Sequence, residues 1–343
     1  MARIAWGIMG DSRGHLTRAL IMAGELERHE ILFVGGGCAE DLRALGHRVH
    51  AVPMPETILR GNKVQSLATA AHFLRLALGR GEVLRALARE LEAFRPDLAV
   101  TDYEFYLPRA ARMLGVPCIG FGHQHALTRC RGVLPPGDIS GRLATTASIR
   151  LFFSLPERYL VTSFFSALPK GPETVPLPPL LREDVSGLAP RAGRHVLVYM
   201  RAGVPPGLLE ALAATGREVR VYGSGERGFS GRVRFLPFSR GGFLEDLATC
   251  AYVITGGGHN LLSEALCLGK PVLALPAAMF YEQYVNAWHL RRLGWGDFVT
   301  RAQDAPRAVA EFEARLEERR KALAAPPVCG NALAVRAVEE LLP

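Results

Sequence analysis

The stretch TGGGHNLLSEALCLGKPVL, residues 255–273, sets Gly256, Gly257 and Gly258 between an apolar run ending at Ile254 and a helical pattern carrying one carboxylate, Glu264. A strand that ends in glycines and opens into a helix turns backbone N–H groups and the positive helix end toward one point, which suits a phosphate. The expected occupant is an anion, a diphosphate first of all. His259 and Asn260 stand in the first helical turn, where Asn260 adds a side-chain donor. Glu264 follows one turn later on the same face, placed to accept hydrogen bonds from a ribose diol. Beyond the next apolar run, KPVLALP, Glu282 and Gln283 open a helix just past a strand's carboxyl end. Parallel sheets place ligands there, and an acid beside an amide can read the hydroxyls of a sugar. Each motif alone has a plainer reading: a glycine turn joining a strand to a tightly packed helix, and an acid favoured at a helix N-terminus by its dipole.

A second set of candidate ligands is Cys118, His123, His125 and Cys130, spaced C-x4-H-x-H-x4-C. The residue types suit zinc but the spacing is unusual. We therefore expect no metal, and place His123, Gln124 and His125 on the acceptor side of a ligand cleft. No DxD carboxylate pair is present to hold a metal on a diphosphate, and no cofactor is expected.

These residues need a scaffold, and the chain reads as alternating strands and helices: ARIAWGIM, EILFVGGG, HRVHAVPM and PDLAVTD as strands with helical runs between them. Residues 64–94 look helical with an interruption near Gly79 and Gly81. The aromatic run SIRLFFSLPERYLVTSFF reads as buried strands. Between Phe165 and Arg194, prolines at 169, 172, 176, 178, 179 and 190 break every period, after which alternation resumes. The expectation is an α/β chain of two doubly wound parallel sheets. Its domains are expected at 1–165 and 194–325, joined by a Pro-rich linker at 166–193, with a C-terminal helix at 326–343 packing back on the first domain. The chain length of 343 residues favours two domains over one core.

Two motifs in order, G-G-G-H-N-x-x-x-E and, after one strand, E-Q-x-x-N-A, strongly resemble the nucleotide-sugar signature of GT-B glycosyltransferases. The pattern is similar to that of the UDP-glycosyltransferases and, more closely, to uncharacterised bacterial and archaeal MurG-like enzymes. In that group GHxxR near the N-terminus, QHALT in mid-chain and NLLSEAL near the C-terminus recur. The resemblance implies two Rossmann-like domains facing across a cleft and inverting, metal-independent transfer of a sugar from a nucleotide-diphosphate sugar, a UDP-sugar first, to an acceptor hydroxyl. It implies that Gly256, Gly257, Gly258, His259, Asn260 and Glu264 hold diphosphate and ribose, that Glu282 and Gln283 hold the sugar, and that Phe238, or else Phe243, lies against the base. It also places His15, in GDSRGHLTRAL, where inverting members carry their general base, with Asp102 as its partner and Gly14 beside the donor. A neutral imidazole suits removal of a proton from an attacking hydroxyl. Arg13 or Arg18 adds positive charge. The signature's opening Trp and its phosphate-binding His are absent; Gly256 stands in the place of the latter.

Other readings use the same residues differently. A nucleotide-sugar hydrolase or a 2-epimerase needs no acceptor, and a non-catalytic binder of nucleotide sugar or nucleic acid would not need His15. The charge of +8 raises the nucleic-acid question, but no basic run with interleaved aromatics appears, so no nucleic-acid partner is expected. The partners expected are the sugar donor and an acceptor, lipid-linked or a small molecule. With no run of about 18 apolar residues, a cytoplasmic protein is expected. HFLRLALGRGEVLRAL, which mixes apolar and Arg residues at helical spacing, allows peripheral contact with an anionic membrane.

Overall fold

The computed structural model describes residues 1–54, 59–60, 63–64, 66–200, 203–225, 228–237, 239–278 and 280–343. The chain divides into two compact units. One comprises Met1–Val133, Arg142–Leu180 and Gly330–Pro343, the other Leu134–Gly141 and Leu181–Cys329. The division at Leu180 falls within the Pro-rich segment.

The first unit is built on a seven-stranded parallel sheet. Its strands are β1 (Arg3–Ile8), β2 (Glu30–Gly35), β3 (Arg48–Ala51), β4 (Leu98–Asp102), β5 (Cys118–Phe121), β6 (Arg158–Thr162) and β7 (Thr174–Leu177), in the spatial order β7-β6-β5-β4-β1-β2-β3. Side chains alternate along a strand, so RIAWGI serves two cores at once. Ile4, Trp6 and Ile8 pack with Leu16 and Met22 of helix α1 (Arg13–Glu25) and with Ala334 and Val338 near the C-terminus. Ala5 faces the other way, toward Leu87 and Leu91 of α2 (Ser66–Phe94) and Leu107 and Ala111 of α3 (Leu107–Leu114). Helix α2 runs unbroken through Gly79 and Gly81, against the interruption read from the sequence. Each glycine lowers helix propensity by about 1 kcal/mol, and the tertiary packing of Leu87 and Leu91 outweighs it. The aromatic run is likewise not all strand: its first part closes helix α4 (Ile139–Phe152), and only Arg158–Thr162 enters the sheet.

The second unit repeats the plan with β8 (Val196–Tyr199), β9 (Val219–Tyr222), β10 (Gly228–Ser230), β11 (Val233–Phe235), β12 (Tyr252–Thr255), β13 (Val272–Ala274) and β14 (Gly296–Phe298). The order is β10-β11-β9-β8-β12-β13-β14, parallel except for β10. Helices α5 (Leu208–Ala214), α6 (Arg240–Thr249), α7 (His259–Cys267), α8 (Tyr281–Arg292) and α9 (Ala305–Ala314) follow in sequence. Valines of β8 and β9 close a core with Leu208, Leu212, Val309 and Phe312. Among the described residues no helix is long and apolar enough to cross a membrane.

Candidate active site

In both sheets the strand order reverses next to the first strand of the unit, and doubly wound folds open a ligand crevice at the carboxyl ends of that pair. In the first unit the pair is β1 and β4, which run in register up to Ile8 opposite Asp102. The loop after β1 leads into α1, whose third residue is His15, one residue past Gly14 in the first turn. The fold thereby brings His15 to Asp102 across 87 positions of sequence: Nδ1 lies 2.8 Å from Oδ1. Arg18, one turn further along α1, grips the same carboxylate with Nε 2.9 Å from Oδ2 and Nη2 2.8 Å from Oδ1. All three side chains are buried. Burial alone would raise the Asp102 pKa, but Arg18 first and His15 second overcome it and hold the carboxyl at about 2. Arg13, by contrast, reaches out to Asp41 at 3.4 Å on the surface.

The turn that carries Asp102 is tightly fixed. The Thr101 hydroxyl donates to the Glu104 carbonyl (2.9 Å), and the Glu104 carboxylate accepts the Tyr106 and Leu107 amides at the start of α3 (2.8 and 2.5 Å). Burial pushes Glu104 up to about 7 in spite of these donors. Between them Tyr103 adopts φ 61°, a left-handed conformation that a bulky residue holds only under constraint. Its ring stacks on Phe153 (centroids 3.8 Å apart) and lies parallel to the imidazole of His15 at 6.2 Å.

The loop after β5 supplies the next layer. Gln124 brings its amide to His15, with Nε2 3.4 Å from the imidazole Nε2. His123 does not line a cleft as the sequence suggested: it is fully buried, its Nδ1–H donates to the Thr162 carbonyl at 2.9 Å, and its ring meets Phe165 edge-on. His125 is also buried, between Tyr159 and Tyr103, with neither nitrogen hydrogen-bonded among the described residues. Burial, with Arg129 adding to it, pushes its pKa down to about 4, so the ring stays neutral. Among the described residues no group of three or more His, Cys, Asp or Glu side chains is placed to hold a metal ion.

In the second unit the reversing pair is β8 and β12, in register up to Tyr199 opposite Thr255. The glycine turn leaves β12 at that point. Gly257 has φ 92°, and a β-carbon there would lie 3.0 Å from the Gln283 carbonyl; only glycine lets the turn lie against α8. The Asn286 side chain of α8 then donates to the Gly257 carbonyl at 3.1 Å, and the Gln283 Oε1 accepts the Ala277 amide at 3.1 Å. These two bonds give the E-Q-x-x-N-A spacing its physical reason: Asn286 pins the glycine turn and Gln283 the loop that leads into α8. Gly258 is the N-cap of α7 and puts no side chain between the helix end and an incoming anion. His259 is buried at the first position of α7, with Asn260 half-buried beside it, and Glu282 is half-buried at the start of α8.

Glu264, one turn along α7, is not open to solvent. Arg182, from the end of the Pro-rich segment, meets it with Nε 2.8 Å from Oε1 and Nη2 3.0 Å from Oε2. Burial raises the Glu264 pKa and Arg182 opposes the rise. Phe238 lies outside the described residues. Phe243, the substitute for it, is buried on α6 with its ring edge-on to Tyr199 and Tyr222. The sequence reading passed over Arg182 and assigned Arg18 only a general charge. The one signal for Arg18 was its place in GHLTR, one helical turn after His15.

Comparison with known proteins agrees with this fold. Residues 2–317 match the family described as Glycosyl transferase family 1. An uncharacterised glycosyltransferase of Methanopyrus kandleri is 26% identical over 240 residues, which span 62% of this chain and 66% of that protein. Among solved structures, UGT2 of Phytolacca americana complexed with UDP-2-fluoroglucose and pterostilbene superposes with TM-score 0.69 at 15% identity, covering 94% of this chain and 93% of that one. The spinosyn rhamnosyltransferase SpnG complexed with thymidine diphosphate gives 0.62 at 19% identity, covering 99% and 100%. Two doubly wound parallel sheets of the GT-B class, a match to the family over nearly the whole chain and the glycosyltransferases it resembles lead to one conclusion: this chain is a glycosyltransferase and belongs to glycosyl transferase family 1.

Proposed function

We propose that the enzyme catalyses inverting, metal-independent transfer of a sugar from a UDP-sugar to an acceptor hydroxyl. The observation that carries this reading is the His15 to Asp102 hydrogen bond at the carboxyl ends of β1 and β4. With Nδ1–H donated to a carboxylate, the other ring nitrogen keeps its lone pair, and that is the atom a general base needs. The acceptor O–H gives its proton to His15 Nε2 as its oxygen bonds to the anomeric carbon, and the bond from that carbon to the diphosphate breaks with its electron pair. Attack from the face opposite the leaving group inverts the carbon. In the second unit the Gly256–Gly258 turn and the α7 N-terminus receive the departing charge. Glu264 accepts from the ribose on lone pairs that Arg182 leaves unused, and Glu282 and Gln283 hold the sugar. Asn260 adds a donor to the diphosphate.

Support for a pyrimidine nucleotide comes from the two complexes named above, one with a UDP-sugar and one with thymidine diphosphate. The acceptor is a small molecule or a lipid-linked one. Peripheral contact with an anionic membrane is supported by Leu74 and Leu78, exposed on α2 beside Arg75 and Arg80.

The test is a calorimetric screen of UDP-, dTDP-, GDP- and CDP-sugars with chelator present, followed by product analysis with the donor that binds. Binding of one class, lost in Glu264→Ala, and an anomeric configuration opposite to the donor's support the reading. Retention of configuration, a metal requirement, or release of free sugar as the only product would overturn it.

A further inference from the structure

The triangle at the end of β4 holds more than the His15 and Asp102 pair. Arg18 Nη2 lies 2.8 Å from Asp102 Oδ1 and 2.8 Å from His15 Nδ1, and Nδ1 lies 2.8 Å from the same Oδ1. One proton assignment gives the buried carboxylate all of its donors, with Nη2 and Nδ1–H standing 2.8 Å apart as two donors to the same oxygen. A guanidinium only donates. Its Nε–H points at Oδ2, and the two protons of Nη2 go to Oδ1 and to Gln124 Oε1, 3.5 Å away. Nδ1 then donates to Oδ1. With its oxygen turned to Arg18, the Gln124 amide presents its NH2 to His15 Nε2 at 3.4 Å, an approach that requires a lone pair on that nitrogen. Were Arg18 to donate to Nδ1 instead, the ring proton would move to Nε2 and leave the Nδ1 lone pair facing a carboxylate oxygen 2.8 Å away. This orientation follows from the network of donors and acceptors.

Resting on the proposed function, we infer that Arg18 is a positioning residue for the base: it acts as counter-ion to Asp102, so that His15 need not, and through Gln124 it turns the free lone pair of Nε2 toward the acceptor. The charge argument is simple. Asp102 is fully buried and carries a negative charge that must be matched nearby. With His15 as the only partner, the carboxylate would favour the doubly protonated imidazole, which has no lone pair to offer. Arg18 provides a permanent positive charge that no substrate can titrate. The other groups that face the imidazole, Tyr103 from the end of β4, Gln124, and His125 behind Tyr103, are neutral, so the matching falls to Arg18. In turnover the acceptor hydroxyl takes the place of the Gln124 NH2 on Nε2, and the freed amide is left within reach of the hydroxyl oxygen.

The test uses the whole protein with 15N-labelled histidine, and His15 assigned by its absence in His15→Gln. At pH 7 the wild-type ring is expected neutral, with its proton on Nδ1. In Arg18→Met the ring is expected to carry both protons, and kcat for the donor and acceptor pair that the screen identifies falls about 100-fold; raising the pH restores much of it, and the donor KM stays within about twofold. Arg18→Lys, which keeps the charge but cannot reach both Asp102 and Gln124, is expected to keep a neutral ring and lose about tenfold in kcat. A wild-type ring protonated on Nε2, or an Arg18→Met ring identical to wild type, would overturn the inference. Should Arg18→Met not fold, the wild-type spectrum and Arg18→Lys decide it. UDP and dTDP titrations separate the two claims: nucleotide affinity unchanged by Arg18→Met locates the fault in the base, whereas a wild type that binds neither nucleotide removes the transferase reading and leaves the ring-proton result to stand alone.

Discussion

The backbone of Gly122 passes so close to Asp102 that a β-carbon on it would lie 2.7 Å from Oδ1, and the glycine holds φ 120° to do so. Atoms that near must separate, and the carboxylate is the part held by His15 and Arg18. Gly122→Ala is therefore expected to cost about 1–3 kcal/mol of stability and to lower kcat well beyond that loss. The donor dissociation constant should stay as it was, because the change lies in the other unit. Melting curves and calorimetry on the same preparation check both parts.

Removing the base itself should separate chemistry from binding. His15→Ala and Asp102→Asn are expected to lower kcat by ~10²–10⁴ with donor affinity near wild type, as read by single-turnover release of nucleoside diphosphate. Loss of donor binding in His15→Ala with kcat retained at saturation would contradict the role given to it.

The Arg182 and Glu264 pair predicts an asymmetry. Glu264 is 5% exposed, so Arg182→Met strands a buried acid with no counter-charge, which is expected to cost about 2–4 kcal/mol. Glu264→Gln leaves a cation on a side chain that is 19% exposed and can turn toward water, so it should cost less. Thermal denaturation ranks the two variants. Nucleotide affinity should fall about tenfold in Glu264→Gln, where one strong acceptor becomes a donor.

Two buried groups give opposing pH slopes. The unfolded His125 takes up a proton near pH 6.5 and the folded one only at about 4, so stability is lost as pH falls through that window, at up to about 1.4 kcal/mol per pH unit. Glu104 runs the other way. Its folded pKa of about 7 exceeds the unfolded value near 4.3, so its contribution is complete at low pH and lost as pH rises toward 7. His125→Leu should therefore be stabilised relative to wild type at pH 4.5 more than at pH 7.5, and Glu104→Gln should show the reverse trend. Denaturant midpoints across pH 4–8 measure both.

Much of this was legible locally. Apolar runs with two buried faces gave the strands, and the strand-to-helix glycine turn at 256–258 gave a position that the sheet order then set at the reversing pair of the second unit. What escaped were relations between distant segments. Arg182 stands in a Pro-rich run with no periodicity, and nothing near it in sequence points to a carboxylate 82 positions away. Gly122 reads as an ordinary loop glycine until Asp102 is beside it. His123 reads as an acceptor-side cleft residue because it stands next to the QHALT motif, but burial and the Thr162 carbonyl decide its place. In α2, summed packing overrode two helix-weakening glycines, a balance that no window of local propensity contains.

The last segment, Gly330–Pro343, belongs to the first unit, where Ala334 and Val338 share a core with Leu16 and Met22. The order of synthesis follows from that. As the chain emerges from a ribosome, Leu181–Cys329 is released with nearly everything its own sheet needs, while the earlier residues still lack their closing helix. A chain stopped at Cys329 should accordingly expose apolar surface to a hydrophobic dye. The half that holds His15 and Asp102 is begun before the other and completed after it, so a chain that lacks Gly330–Pro343 cannot carry a complete first half.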